Sequence, residues 1–185
     1  MVEKLMGSDK IILRKMTPED IPLGMKLKSL AGWNQLEDDW KMLLDAGGDN
    51  FVASLDGYDV GIVISVPYQD NFTWIGMVLV DPSARRKGVG KALLKKSIEI
   101  AHPKGPIRLD ATAEGFELYS TLGFQTEYEL VRMIKRSAGS RVKQNNHTIE
   151  PGIHMGDGEL ESITRLDMPI FGADRSGILR HLHKR

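Results

Sequence analysis

The segment Val80-Asp-Pro-Ser-Ala-Arg-Arg-Lys-Gly-Val-Gly-Lys91 constrains this chain more than any other. Just before it runs Ile75-Gly-Met-Val-Leu-Val80, which has the length and composition of a buried strand. Behind it Val89, Leu93, Leu94, Ile98 and Ala101 recur at helix spacing. The chain therefore passes from strand to basic, glycine-bearing turn to helix. The first turn of such a helix leaves N–H groups without intrahelical partners. Those groups point outward at the positive end of the helix dipole and suit a phosphate. Gly88 and Gly90 carry no Cβ to keep a ligand off the backbone. Arg85, Arg86, Lys87 and Lys91 add positive charge at the same place. The physical reading is an anion site sized for a diphosphate.

Spacing separates the glycine turns that bind nucleotides. A P-loop requires a glycine where this chain has Arg85, and a hydroxyl where it has Ala92. An ATPase or GTPase is thereby excluded. A dinucleotide fingerprint requires a third glycine where Leu93 stands. A third pattern, Arg/Gln-x-x-Gly-x-Gly/Ala, fits Arg85-Arg-Lys-Gly88-Val-Gly90. In this the chain resembles the GCN5-related N-acetyltransferases, the GNAT superfamily, over roughly its first three quarters. A second stretch, Leu118-Tyr-Ser-Thr-Leu-Gly-Phe124, is similar to the Leu-Tyr helix and Leu-Gly-Phe turn of the same superfamily.

The order of elements agrees. Ile11–Lys15 reads as a strand, and Thr17-Pro-Glu-Asp20 as a capped helix start with Leu23, Leu27 and Leu30 on one face. A second helix carries Leu36, Trp40, Leu43 and Leu44 and stops at Gly47-Gly48. Strands follow at Phe51–Leu55, Val60–Val66 and Phe72–Val80, with a turn at Asp56-Gly57. After the basic turn and its helix come a strand at Ile107–Ala111, a short helix from about Ala113 to Thr121, and a strand over Glu127–Lys135. The order β-α-α-β-β-β-α-β-α-β places the chain in the α/β class. The resemblance makes it the GNAT acyl-CoA N-acyltransferase fold, a mixed central sheet with helices on both faces. The expected division is an acetyltransferase domain over residues 1–136, then a linker and C-terminal extension over 137–185.

Composition bounds the rest. Twenty-five basic and 25 acidic residues cancel, so no global field draws the chain to nucleic acid or an anionic membrane. The absence of cysteine removes disulfides, thiol nucleophiles and thiolate metal sites. The N-terminus lacks an apolar core of signal-peptide length, and no apolar run approaches the ~20 residues of a membrane span. The expectation is a cytoplasmic protein that needs no metal.

The resemblance implies a cofactor, a mechanism and site residues. Acetyl-CoA is the co-substrate, its diphosphate held by Arg85, Arg86, Lys87, Gly88, Val89, Gly90 and Lys91. Its pantetheine arm pairs like an added strand with the backbone of Val78, Leu79 and Val80. The acceptor amine, on a small molecule or peptide, attacks the thioester directly in a ternary complex. Tyr119 matches the tyrosine that returns a proton to the leaving thiolate; the alternative is that it only packs. Thr112 stands where the family often has an asparagine and offers a hydroxyl to the cofactor or to water.

The chain also departs from the family. Phe72–Met77 contains no carboxylate to serve as base, and Asp70 and Glu114 are the flanking candidates. Trp33 and Trp40, seven apart, share one helix face as core or as an acceptor wall; Tyr68 and Trp74 are further wall candidates. After Arg136 the chain turns polar. His147 and His154 have no ligand companions at metal spacing, and His181 and His183 lie in a basic tail. Ile163–Leu179 resembles the opening of a second GNAT-like half, with Asp174 capping a helix that bears Ile178, Leu179 and Leu182. Residues from about 150 onward are expected to cover the acceptor cleft or to mediate a homodimer. Two functional classes stay open: an N-acetyltransferase, and an acyl-CoA-binding sensor or interaction module without turnover.

Overall fold

In a computed structural model, residues 10–131, 133 and 155–184 are described. Five strands form one sheet in the order β1-β2-β3-β4-β5: β1 Ile11–Lys15, β2 Phe51–Leu55, β3 Tyr58–Tyr68, β4 Phe72–Val80 and β5 Ile107–Leu109. The first four pair antiparallel, and β5 joins β4 in parallel, as a mixed sheet. The parallel crossover from β4 to β5 is made by helix α3, Val89–Ala101. The helices α1 Ile21–Leu30, α2 Glu37–Asp45, α4 Ala113–Thr121, α5 Asp157–Phe171 and α6 Ser176–His183 complete the layers.

Alternation along the strands fills two cores. Val52, Ile62, Ile64, Val66 and Leu79 face α1 and α2 and surround Trp40, which is fully buried. Phe51, Ala53, Val63 and Ile75 face α3, whose Val89, Leu93 and Leu94 are equally buried. Each such side chain contributes roughly 1.5–3 kcal/mol by leaving water. Helix α3 lies unusually close to the sheet at Gly61. A Cβ there would come within 2.9 Å of Val89 Cγ1 and 3.1 Å of Leu93 Cδ1.

The start of α1 is pinned by charge. Thr17 N–H donates to Asp20 (2.9 Å), while Arg14 forks onto both oxygens of Asp20 (2.8 and 2.7 Å) and also reaches Asp59. The guanidinium holds the Asp20 carboxyl below the usual range.

Two expectations are corrected. Residues 127–131 and 133 form no strand, and 132, 134 and 135 lie outside the described residues. A strand pattern becomes a strand only against a neighbour, and β5 offers three residues of edge. Trp33 precedes α2 instead of sharing a face of it, because Leu36 is the helix N-cap. Ile163–Pro169 belongs to helix α5, with Pro169 in its last turn. The boundary expected at 136–137, His147 and His154 also fall outside the described residues.

Candidate active site

Strand β4 changes character at its middle. Up to Ile75 it pairs with β3 on one edge and β5 on the other; β4–β5 pairing ends at Ile75 with Leu109. Ile62 pairs with Leu79 but Ile64 with Gly76, so three steps on β4 oppose two on β3. That mismatch is a β-bulge. Met77 sits in it with φ of 49°. Beyond the bulge Leu79 and Val80 pair with β3 alone. Among the described residues, no strand covers the other edge of Val78, Leu79 and Val80. The backbone groups on that edge are therefore open to a ligand that runs alongside, except that the Val80 carbonyl accepts from Arg85 Nε at 3.5 Å.

The turn after β4 is held by Asp81. Its carboxylate accepts from the Ser83 hydroxyl (2.7 Å), Lys26 Nζ (3.0 Å) and Ser83 N–H (3.1 Å). The hydroxyl first, then the ammonium, lower the Asp81 pKa to about 2. Lys26 lies on α1, so this latch ties the turn to the opposite layer. Arg86 and Gly88 then take positive φ, 61° and 86°. Glycine accepts that conformation freely; for Arg86 it costs on the order of 1 kcal/mol. Gly88 is the N-cap of α3. The N–H groups of Arg86, Lys87 and Gly88 have no protein acceptor among the described residues. Those of Val89, Gly90 and Lys91 lie in the first turn, where the helix supplies none. Strain and unmatched donors therefore coincide at one turn, as expected of a binding site.

The proposed residues converge unequally. Val89 offers only its backbone, since its side chain is core. Arg86, Lys87 and Lys91 are exposed around the turn. Arg85 is engaged: its Nη1 donates to Glu114 of α4 at 3.0 Å. Gly90 lies close under α4, since a Cβ on it would sit 3.9 Å from Leu118 Cδ2. Thr112 is the N-cap of α4, and its hydroxyl accepts from Gly115 N–H at 3.3 Å. Tyr119, like Val78, Val80 and Leu118, packs against the α3-side core. Burial pushes its phenol up, so it keeps its proton through neutral pH. Asp70 does not join the site. It lies in the β3–β4 hairpin turn, about six residues or ~20 Å of strand before Gly76.

Sequence reasoning missed the Lys26–Asp81 latch, the Arg85–Glu114 pair and the seat of Tyr119 on Gly115. Only the last had a signal, a glycine one helical turn before a tyrosine. A cavity of about 1040 Å³ runs around the outer edge of β5 between α4 and residues 124–130. It touches Tyr119 and Trp74 but no residue of the 85–91 turn. A helix N-terminus presents its donors on an open surface, so cavity size does not locate a diphosphate site. No group of metal-ligating side chains occurs among the described residues. No described helix is long and apolar enough to cross a membrane.

The acetyltransferase (GNAT) family model matches residues 19–124. The uncharacterized N-acetyltransferase YitH of Bacillus subtilis is 31% identical over 179 residues, covering 92% of this chain and 59% of its own. An uncharacterized N-acetyltransferase of Methanocaldococcus jannaschii is 34% identical over 119 residues, 56% of this chain and 52% of its own. The chain thus spans between half and two thirds of the length of these relatives. A Pyrococcus horikoshii protein assigned to the acetyltransferases superposes with a TM-score of 0.72 at 24% identity, over 100% of this chain and 65% of that one. An aminoglycoside N-acetyltransferase solved with CoA superposes with a TM-score of 0.56 at 21% identity, over 71% and 99%. These two likenesses establish the fold. The family match, spanning more than half of the residues, establishes descent: the chain belongs to the acetyltransferase (GNAT) family.

Proposed function

We propose that this chain transfers an acetyl group from acetyl-CoA to a primary amine, by direct attack with both substrates bound. The observation that carries the reading is a pair of backbone sets open among the described residues, the strand edge just beyond the bulge at Met77 and the N–H groups from Arg86 into the first turn of α3. An acyl-CoA presents a diphosphate at one end and an amide-bearing arm at the other. The amides of Arg86 to Lys91 match the diphosphate, and the free edge of Val78, Leu79 and Val80 matches the arm. The residues present fit the co-substrate. Support also comes from the solved relative that holds CoA.

The chemistry is a direct acyl transfer. The neutral amine nitrogen bonds to the thioester carbon and sheds one proton to water, and the C–S bond breaks with the electron pair leaving on sulfur. Tyr119 Oη gives its proton to that thiolate and recovers one from solvent. The free N–H groups beside the bulge steady negative charge on the carbonyl oxygen. Most of the acceleration comes from holding the amine against the acyl carbon. No residue is acylated, in keeping with a chain that has no cysteine.

One observation favours the second reading, an acyl-CoA-binding module without turnover. Strand β4 carries no carboxylate, and Glu114 is committed to Arg85. Release of free thiol from acetyl-CoA across a panel of primary amines separates the two. Amine-dependent release supports transfer. Thermal stabilisation by acetyl-CoA with no release from any amine supports the module. The acceptor is proposed as a small-molecule or peptide amine.

A further inference from the structure

Phe171, the last residue of α5, docks on the hairpin end of β3 and β4. Phe171 meets Tyr68 edge-on at 4.8 Å and 72°, and Phe72 at 5.5 Å and 62°. It stacks on Trp74 at 6.1 Å and 22°. Its position is fixed from three sides. Arg175 lies over the ring at 4.1 Å. That guanidinium is itself forked onto Asp167 at 2.8 and 2.6 Å. Asn71 of the hairpin turn donates to the carbonyl of Gly172, the next residue, at 2.8 Å.

The place of this cluster gives it meaning. Tyr68 and Met77 face the α1–α2 layer, and Ile178 of α6 packs against the same core. Trp74 shares that face with Tyr68 and Phe72, its partners in the aromatic cluster. The next residue on that face of β4 is Gly76, where a Cβ would meet nothing within 4 Å. Among the described residues, nothing fills the space between Trp74 and the bulge. Trp74 and Phe171 are only half-buried, so they border this space instead of filling a core.

We infer that Phe171, held by Arg175 and Asp167, is a positioning residue that sets Trp74 as an apolar wall of the acceptor site and selects amines with a flat apolar body. This rests on the proposed transfer reaction. An arm bound along Val78–Val80 ends near the bulge, so an amine approaching from the α1–α2 face passes Trp74 about two residues, ~7 Å, away. Stacking on a fixed indole favours a flat group. It does little for a short aliphatic chain.

The test compares 2-phenylethylamine with ethylamine, by thiol release and by quenching of tryptophan emission in the presence of CoA. A Trp74→Phe variant identifies which part of the emission belongs to Trp74. Wild type is expected to prefer 2-phenylethylamine about tenfold in kcat/KM, chiefly through its KM. Phe171→Ala should collapse that preference and leave the KM for acetyl-CoA unchanged. Phe171→Tyr should restore it, and Arg175→Met should weaken it in part. Should Phe171→Ala fail to fold, Arg175→Met carries the same comparison. Binding needs no turnover: quenching that is selective for 2-phenylethylamine and lost in Phe171→Ala, without thiol release from any amine, would retain this inference and remove the transfer reaction. Equal response to both amines, no response to either, or a preference that survives in folded Phe171→Ala would overturn it.

Discussion

The ring of Tyr119 lies against the α-carbon of Gly115, one helical turn earlier on α4. A Cβ at Gly115 would meet Tyr119 Cε2 at 2.8 Å, Cζ at 2.9 Å and Oη at 3.0 Å. The phenol can occupy this seat only because position 115 has no side chain. Gly115→Ala must therefore swing the ring away. Alanine is the better helix former by roughly 1 kcal/mol. The variant should be as stable as wild type or more so, and should lose turnover about tenfold or more while CoA affinity holds. Tyr119→Phe should lose turnover similarly without moving the ring. A thermal melt beside a steady-state assay reads both; unchanged turnover in either variant would remove the acid role from Tyr119.

The Asp81 latch predicts acid sensitivity. Its pKa stands near 2 in the folded chain against an ordinary 3.8. A lowered folded value means that the carboxylate stabilises the fold above about pH 4, and that this contribution disappears as pH falls toward 2. Allowing for solvent, it is on the order of 1 kcal/mol. Asp81→Asn should lose about that much at pH 7. Its stability should also fall less steeply than wild type between pH 4 and 2. Urea titrations across that range measure the difference; parallel pH profiles would contradict the latch.

The Arg85–Glu114 pair predicts a competition. Both side chains are substantially exposed, 41% and 74%, so the pair itself adds little stability. Yet it holds a guanidinium that a diphosphate would also bind. Glu114→Gln should leave the melting temperature within about 1–2 °C. It should also tighten CoA binding by about two- to threefold at low salt. Arg85→Ala should weaken binding and flatten its salt dependence. Calorimetric titrations at two ionic strengths check both signs.

Helix α3 sits where Gly61 allows it. Gly61→Ala would push on Val89 and Leu93, the two residues that seat the first turns of the helix. Overpacking of this kind costs about 1–3 kcal/mol. Because the displaced turn also carries the diphosphate amides, CoA affinity should fall with stability. Loss of stability with unchanged affinity would show that the turn is positioned by something other than Val89 and Leu93.

Much of this architecture was legible in the chain because its signals are local. Thr17-Pro18 starts a helix, Asp56-Gly57 turns a hairpin, and the apolar period through Val89–Ala101 is unmistakable. The Arg85–Gly90 spacing marks the turn within six residues. Non-local facts were hidden. No pattern says that Lys26 meets Asp81 across 55 positions, or that Phe171 returns to Trp74. The strand expected over Glu127–Lys135 had the right alternation, but the described part has no paired neighbour, only an ion pair from Arg108 to Glu127 at 3.4 Å. Helix α5 carries Pro169 in its last turn, a residue that ordinarily breaks a helix. The contrary signs were Glu159, which accepts from Gly156 N–H at 3.1 Å to open the helix, and Gly172, which closes it at positive φ.

The central claim, that main-chain donors at the start of α3 hold the diphosphate of an acyl carrier, is tested most directly by amide NMR. CoA would be titrated into the 15N-labelled protein and the backbone resonances followed. The account predicts that the largest shifts fall on Lys87, Gly88, Val89, Gly90 and Lys91, with a second set on Val78, Leu79 and Val80. Shifts confined to the cavity beside β5, at Arg108, Phe124 and Tyr128, with the 87–91 amides unmoved at saturation, would contradict it.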